Sequence, residues 1–132
     1  MSSKNTLAIQ AAALDKKYEI PFNGKYSWLY AGEAAIAFIT SVNKDLTGSH
    51  VFNLNGSCET IEYGLSLIKE LNKEANISCV DKSFPFPPDL DDLPLRNHIG
   101  DYPSISVRKG IEDTYKAFES LKIEGKCPSL SE

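Results

Sequence analysis

Apolar positions along the chain alternate between short extended runs and helical stripes, and the period changes most plainly between residues 51 and 71. Val51-Phe52-Asn53-Leu54-Asn55-Gly56 reads as a short buried strand closed by a glycine turn. Ser57-Cys58-Glu59-Thr60 then leads into an amphipathic helix striped by Ile61, Leu65, Ile68 and Leu71. A strand entering a helix through such a turn is half of a βαβ unit, so parallel neighbours must come from elsewhere.

Upstream, Leu7, Ala8, Ala11, Ala12 and Leu14 predict a helix over Thr6 to Asp15 that packs closely through small side chains, with Ser3 or Asn5 able to cap it. Tyr18 to Phe22 is extended, with Pro21 marking an edge or an end. Asn23-Gly24 is a turn signal, and Tyr26-Ser27-Trp28-Leu29-Tyr30 follows as a second strand, which predicts a hairpin. Gly32-Glu33 opens a helix running to Val42. It is apolar on nearly all sides and is expected to lie buried between layers, with Glu33 at the positive end of its dipole. A polar loop spans 43–49. After the main helix, Ile77 to Val80 reads as a short strand.

Phe84-Pro85-Phe86-Pro87-Pro88 cannot enter a sheet interior, because its prolines lack a donor N–H; a stiff loop suits it better than a docking peptide. Asp89, Asp91 and Asp92 precede a short helix from Leu93 to Ile99, stopped by Gly100. Ser106 caps a last helix whose face is Val107, Ile111, Tyr115, Phe118 and Leu121, and the tail from Glu124 is expected to fray. The sum is one α/β domain over residues 1–132, with about five helices and short strands. The strand at 51–55 and the helix at 6–15 are expected to leave an uncovered edge and an apolar patch, favouring self-association or a partner chain. Phe52→Ala is expected to cost ~3–5 kcal/mol.

Composition narrows the classes. A formal charge of -4 and a pI of 5.2 supply no basic face for nucleic acid. No apolar run approaches the ~20 residues of a membrane span, and no secretory leader is legible, so a cytoplasmic protein is expected. Cys58, Cys79 and Cys127 have no CxxC spacing and read as free thiols. His50 and His98 lie far apart in sequence with no partner at ligand spacing, so no metal site is expected.

The order of these pieces resembles the C-terminal, substrate-binding portion of NAD-dependent epimerases/dehydratases, the extended short-chain dehydrogenases, over about Thr6 to Leu121. Trp28-Leu29-Tyr30-Ala31-Gly32-Glu33-Ala34-Ala35 resembles the strand with an aromatic and an acidic residue that enters an Ala-rich helix. Val51 to Gly56 matches a strand ending in Asn and Gly, and Thr60-Ile61-Glu62 the helix start after it. Ile99-Gly100, Pro103 and Gly110-Ile111-Glu112-Asp113-Thr114 follow in the family's order.

Through this resemblance the implied parent reaction is hydride transfer at a hydroxyl carbon, with NAD or NADP held by a Rossmann half that these residues do not include. No tyrosine of the chain has a lysine four residues on, and no three-glycine phosphate loop exists. No catalytic and no cofactor-binding residue is therefore assigned. The family's arginine two residues before the motif aromatic is Tyr26 here, and Glu33 stands for the usual aspartate. A diphosphate would lose a charge-assisted contact of about 1.5–3 kcal/mol, which points to a sugar or sugar-acid substrate. Tyr26 and Trp28, on one face of their strand, and Arg96, the lone cation of its stretch, are the candidate substrate contacts. A partner chain carrying the Rossmann half, or a homo-oligomer, would complete the assembly. The alternative is a non-catalytic binding or regulatory module that kept the fold.

Overall fold

The computed structural model describes residues 3–45 and 47–130. Among them run α1 (Lys4–Ala13), β1 (Tyr18–Ile20), β2 (Lys25–Trp28), α2 (Ala31–Val42), β3 (Ser57–Thr60), α3 (Ile61–Leu71), β4 (Ile77–Cys79), α4 (Leu93–Ile99) and α5 (Val107–Ile123). The class is α/β, as the pattern predicts, but the strands form two separate pairs. β1 lies parallel to β4, with Tyr18 opposite Ile77 and Ile20 opposite Cys79. β2 lies antiparallel to β3, with Lys25 opposite Thr60 and Trp28 opposite Ser57.

The expected hairpin between β1 and β2 does not form. Asn23-Gly24 does turn, with Gly24 at φ 80°, but its backbone serves distant segments. The Asn23 N–H donates to the Lys82 carbonyl at 2.8 Å, and the Asn23 carbonyl accepts from Phe84 at 3.2 Å. The Gly24 carbonyl accepts from the Ile61 N–H at 2.9 Å, fastening the head of α3. Phe84 completes the separation, its ring 4.7 Å from Phe22 and 4.9 Å from Tyr26. The stiff proline loop is thus pinned by one aromatic at its entrance.

Nor is 51–55 a strand; pairing begins two residues later than Asn55, at Ser57. A side chain replaces the ladder there. The Ser27 hydroxyl donates to Asn55 Oδ1 at 2.6 Å and accepts from the Gly56 N–H at 3.0 Å. Gly56 passes so close to the Trp28–Leu29 backbone that a Cβ would overlap it, which is why glycine ends this run.

Burial is also distributed differently from the expectation. α1 is not a face awaiting a neighbour. Ala8, Ala11 and Ala12 are fully buried, and the helix packs on α5, β1 and β4 at the centre of the main core with Ile20, Ile61, Ile68 and Ile111. Its alanines allow that close approach. The uncovered apolar side belongs to α2, whose only buried residues are Glu33 and Ala37. Phe38, Ile39 and Val42 are 68, 62 and 84 % exposed. A helix apolar all round needs a layer on each side, and one layer is present.

A second, smaller core joins Ala37, Leu95, Ile99 and Tyr102, with Phe52 and Leu54 half-buried against it. Half-burial lowers the expected cost of Phe52→Ala to about 1–2 kcal/mol. A shift of the urea midpoint at unchanged slope would measure it. The tail is tied back: the buried Gln10 amide donates to the Pro128 carbonyl at 2.7 Å, and the Lys126 N–H to Leu121 at 2.9 Å. The predicted loop and tail also include Leu46, Ser131 and Glu132, which with Met1 and Ser2 lie outside the described residues. No helix among the described residues is long and apolar enough to cross a membrane.

Candidate functional site

Three helix starts meet at one cleft. Ser3, Tyr30 and Ser106 precede α1, α2 and α5, and all three line a cleft of about 470 Å3 together with Tyr26, Trp28 and Asn5. The helices begin there for local reasons. The Ser106 hydroxyl accepts from the Lys109 N–H at 3.2 Å, the expected cap. Glu33, in the first turn of α2, is almost fully buried and accepts from the Ile105 N–H at 3.0 Å, so α2 positions the approach to α5. Each helix start carries partial positive charge on its unpaired N–H groups. Among the described residues, none that lines the cleft bears a formal charge. Asn5 is buried, and its Oδ1 has no hydrogen-bond partner among the described residues.

Tyr26 and Trp28 are therefore brought to one cleft, their rings meeting edge to face at 6.1 Å. They differ in burial. Trp28 is a core residue, 8 % exposed, whose indole N–H donates to the Glu59 carbonyl at 3.2 Å. Tyr26 is half-buried and packs between Phe22, Phe84 and Trp28.

Arg96 does not line this cleft. Its Nε donates to Asp92 at 3.2 Å, one terminal nitrogen to the Tyr102 carbonyl at 3.1 Å and the other to Ser104 at 3.1 Å. The guanidinium also lies over the Tyr102 ring, 4.1 Å from its centre. Burial pushes the Tyr102 phenol above its ordinary value, and the Asp92 carboxylate beside it adds to that. Arg96 is a clamp on the turn that follows α4. The pairing with the acidic stretch was legible from its position four residues after Asp92; the contacts to Tyr102 and Ser104 were not.

The residues that sequence reasoning missed are Asn5 and the three helix starts. The Ser106 cap is readable from sequence alone, whereas Ser3 makes no side-chain cap, Asn5 lies inside α1 and Tyr30 reads as the end of a strand; the convergence of the three starts depends on tertiary packing. A dinucleotide does not fit the residues present. β3 passes into α3 with Thr60 capping at 3.1 Å from the Tyr63 N–H and no glycine between, so no backbone cradle for a pyrophosphate exists at that junction. The cleft phenols Tyr26 and Tyr30 are followed at the fourth position by Tyr30 and Ala34.

No family model and no curated protein matches the sequence. Solved structures do. A UDP-glucuronic acid 4-epimerase from Bacillus cereus, in complex with UDP-glucuronic acid and NAD, superposes with a TM-score of 0.76 at 17 % identity, covering 91 % of this chain and 40 % of its own. The fold is that of a part of the NAD-dependent epimerases and dehydratases. A partial-consensus L-threonine 3-dehydrogenase gives a TM-score of 0.76 at 16 % identity, covering 89 % of this chain and 41 % of that one. An NAD-dependent NDP-hexosamine 5,6-dehydratase of tunicamycin biosynthesis gives 0.66 at 16 %, covering 90 % and 42 %. The chain thus spans about 40 % of the length of these neighbours.

Proposed function

We propose that these residues are the substrate-recognition portion of an NAD(P)-dependent oxidoreductase of the epimerase/dehydratase type, acting on a sugar or sugar acid. The cofactor and the proton-transferring pair would be supplied outside them, and the chain alone would be inactive. The uncovered face of α2, with Phe38, Ile39 and Val42, is where the cofactor-binding half would pack, whether it lies on the same chain or a partner.

One observation carries the substrate class: three helix starts converge on a cleft in which no described residue is a cation. Aligned N–H dipoles favour a single carboxylate at about 0.3–1 kcal/mol each on a surface. A diphosphate asks for more than dipoles, and the position that would hold its arginine is Tyr26. Tyr26 and Trp28 would wall the sugar, with Asn5 Oδ1 accepting from a hydroxyl. Arg96 shapes the neighbouring turn in this reading rather than meeting the substrate.

Trp28, the single tryptophan, reports on the cleft directly. Titration with glucuronate is expected to change its fluorescence at lower concentration than glucose or UDP-glucuronic acid. Tyr26→Arg is expected to improve UDP-glucuronic acid at least tenfold, the size of one restored charge-assisted contact. Tighter binding of UDP-glucuronic acid by the unaltered chain would overturn the sugar-acid reading. A regulatory module that kept the fold remains the second reading, favoured by Tyr26. Adding a cofactor-binding half from a relative and recovering dehydrogenase activity would exclude it.

A further inference from the structure

His50 and His98, remote in sequence, meet in the fold. His50 lies in the segment between α2 and β3, and His98 near the end of α4. Their ring centres are 5.2 Å apart, with planes tilted by 56°. Both rings also pack on Phe52, His50 stacked on it at 5.9 Å and His98 tilted at 4.8 Å.

Each imidazole has one nitrogen committed to a backbone carbonyl. His50 Nε2 is 2.9 Å from the Thr47 carbonyl, and His98 Nδ1 is 3.2 Å from the Pro94 carbonyl. A carbonyl oxygen only accepts, so each of these nitrogens carries the proton. The tautomers follow: Nδ1 of His50 and Nε2 of His98 are left with their lone pairs. Both side chains are exposed, so neither lone pair is sealed in the core. Metal-bound histidines have this arrangement, in which the second ring nitrogen donates to a carbonyl and fixes the ligating one. Separation agrees as well. With metal–nitrogen bonds of about 2.0–2.1 Å, two imidazoles on one ion at 90–110° place their ring centres roughly 4.5–5.3 Å apart.

We propose that His50 and His98 form a two-imidazole site for a divalent transition-metal ion of the zinc, nickel or copper class. Among the described residues no group of three or more His, Cys, Asp or Glu side chains is placed to hold a metal. The remaining positions on the ion therefore go to water or to an incoming ligand. Imidazole nitrogens select this class over magnesium and calcium, which take oxygen ligands. The ion would tie the 47–56 segment to α4 across a second cleft that His50 lines with Phe38, Phe52 and Leu95. This inference does not depend on the substrate reading.

The test titrates Zn2+ into the purified chain and follows the imidazole proton resonances together with the melting midpoint. One equivalent is expected to shift both His50 and His98 signals along the same isotherm and to raise the midpoint. Mg2+ at the same concentration is expected to do neither. His50→Ala and His98→Ala are each expected to weaken binding at least tenfold and to abolish the rise in midpoint. Both positions are exposed, so both variants are expected to fold. The free thiols Cys58, Cys79 and Cys127 offer a competing explanation for zinc uptake. Uptake that persists unchanged in the histidine variants, movement of one imidazole without the other, or no shift at tenfold excess would overturn the site.

Discussion

Trp28→Ala is expected to lower the unfolding free energy by about 3–5 kcal/mol, the range for a large aromatic removed from a core. The reason is specific to what surrounds the ring. Trp28 sits at the last register position of β2, opposite Ser57, and its indole lies against Gly64 on α3. A Cβ on Gly64 would overlap that ring. Helix propensity alone favours alanine over glycine within a helix by about 1 kcal/mol. Contact with the indole reverses the sign, and Gly64→Ala is expected to destabilise by about 1–3 kcal/mol through overpacking. In the Trp28→Ala background the same substitution has space, so it is expected to stabilise. Urea denaturation of the two single variants and the double variant measures the coupling, which should exceed about 1 kcal/mol for groups in contact. Additive effects would mean that Trp28 and Gly64 do not touch.

That test bears on function, because the indole has two duties. One edge lies in the core against α3, and the ring also lines the cleft beside Tyr26. A Trp28→Phe variant that keeps most of the stability but weakens glucuronate binding would separate them. Tyr26, only half-buried, is expected to tolerate substitution with smaller losses of stability, so its variants report on binding more directly.

Features set by near neighbours in sequence were readable before the fold was known. The Thr60 and Ser106 caps act on residues three positions ahead, and Glu33 lies in the first turn of its own helix. The amphipathic stripe of α3 likewise records which side meets the core. What could not be read depends on distant segments. Asn23-Gly24 has the chemistry of a hairpin turn, yet its backbone bonds go to Lys82, Phe84 and Ile61. Asn55 and Gly56 look like a strand end, and Ser27 takes the place of the ladder there. The apolar circumference of α2 predicts burial between two layers, yet Phe38, Ile39 and Val42 are exposed, because only one side of the helix is covered among the described residues. Spacing also argued against His50 and His98 as partners, because spacing along a chain only detects ligands that are close in sequence. The cleft has the same character: its three helix starts, at Ser3, Tyr30 and Ser106, are far apart in the sequence.

Glu33 joins two of those starts, α2 and α5, which makes it the second sensitive position. Its carboxylate is 1 % exposed and accepts from the Ile105 N–H immediately before the Ser106 cap of α5. Glu33→Ala would remove the acceptor and strand that N–H without a partner. The expected cost is about 2–4 kcal/mol, combining a lost charge-assisted bond with an unpaired donor. Glu33→Gln keeps an acceptor oxygen of nearly the same reach and is expected to cost about 1 kcal/mol, since a neutral bond is roughly half as strong. Hydrogen exchange locates the effect: the Ile105 amide should lose protection in the alanine variant and keep most of it in the glutamine variant. Because α5 begins at the next turn of chain, the alanine variant should also bind glucuronate more weakly, while the glutamine variant binds nearly as the unaltered chain does. Equal binding by both variants would mean that the α5 start contributes nothing to the cleft.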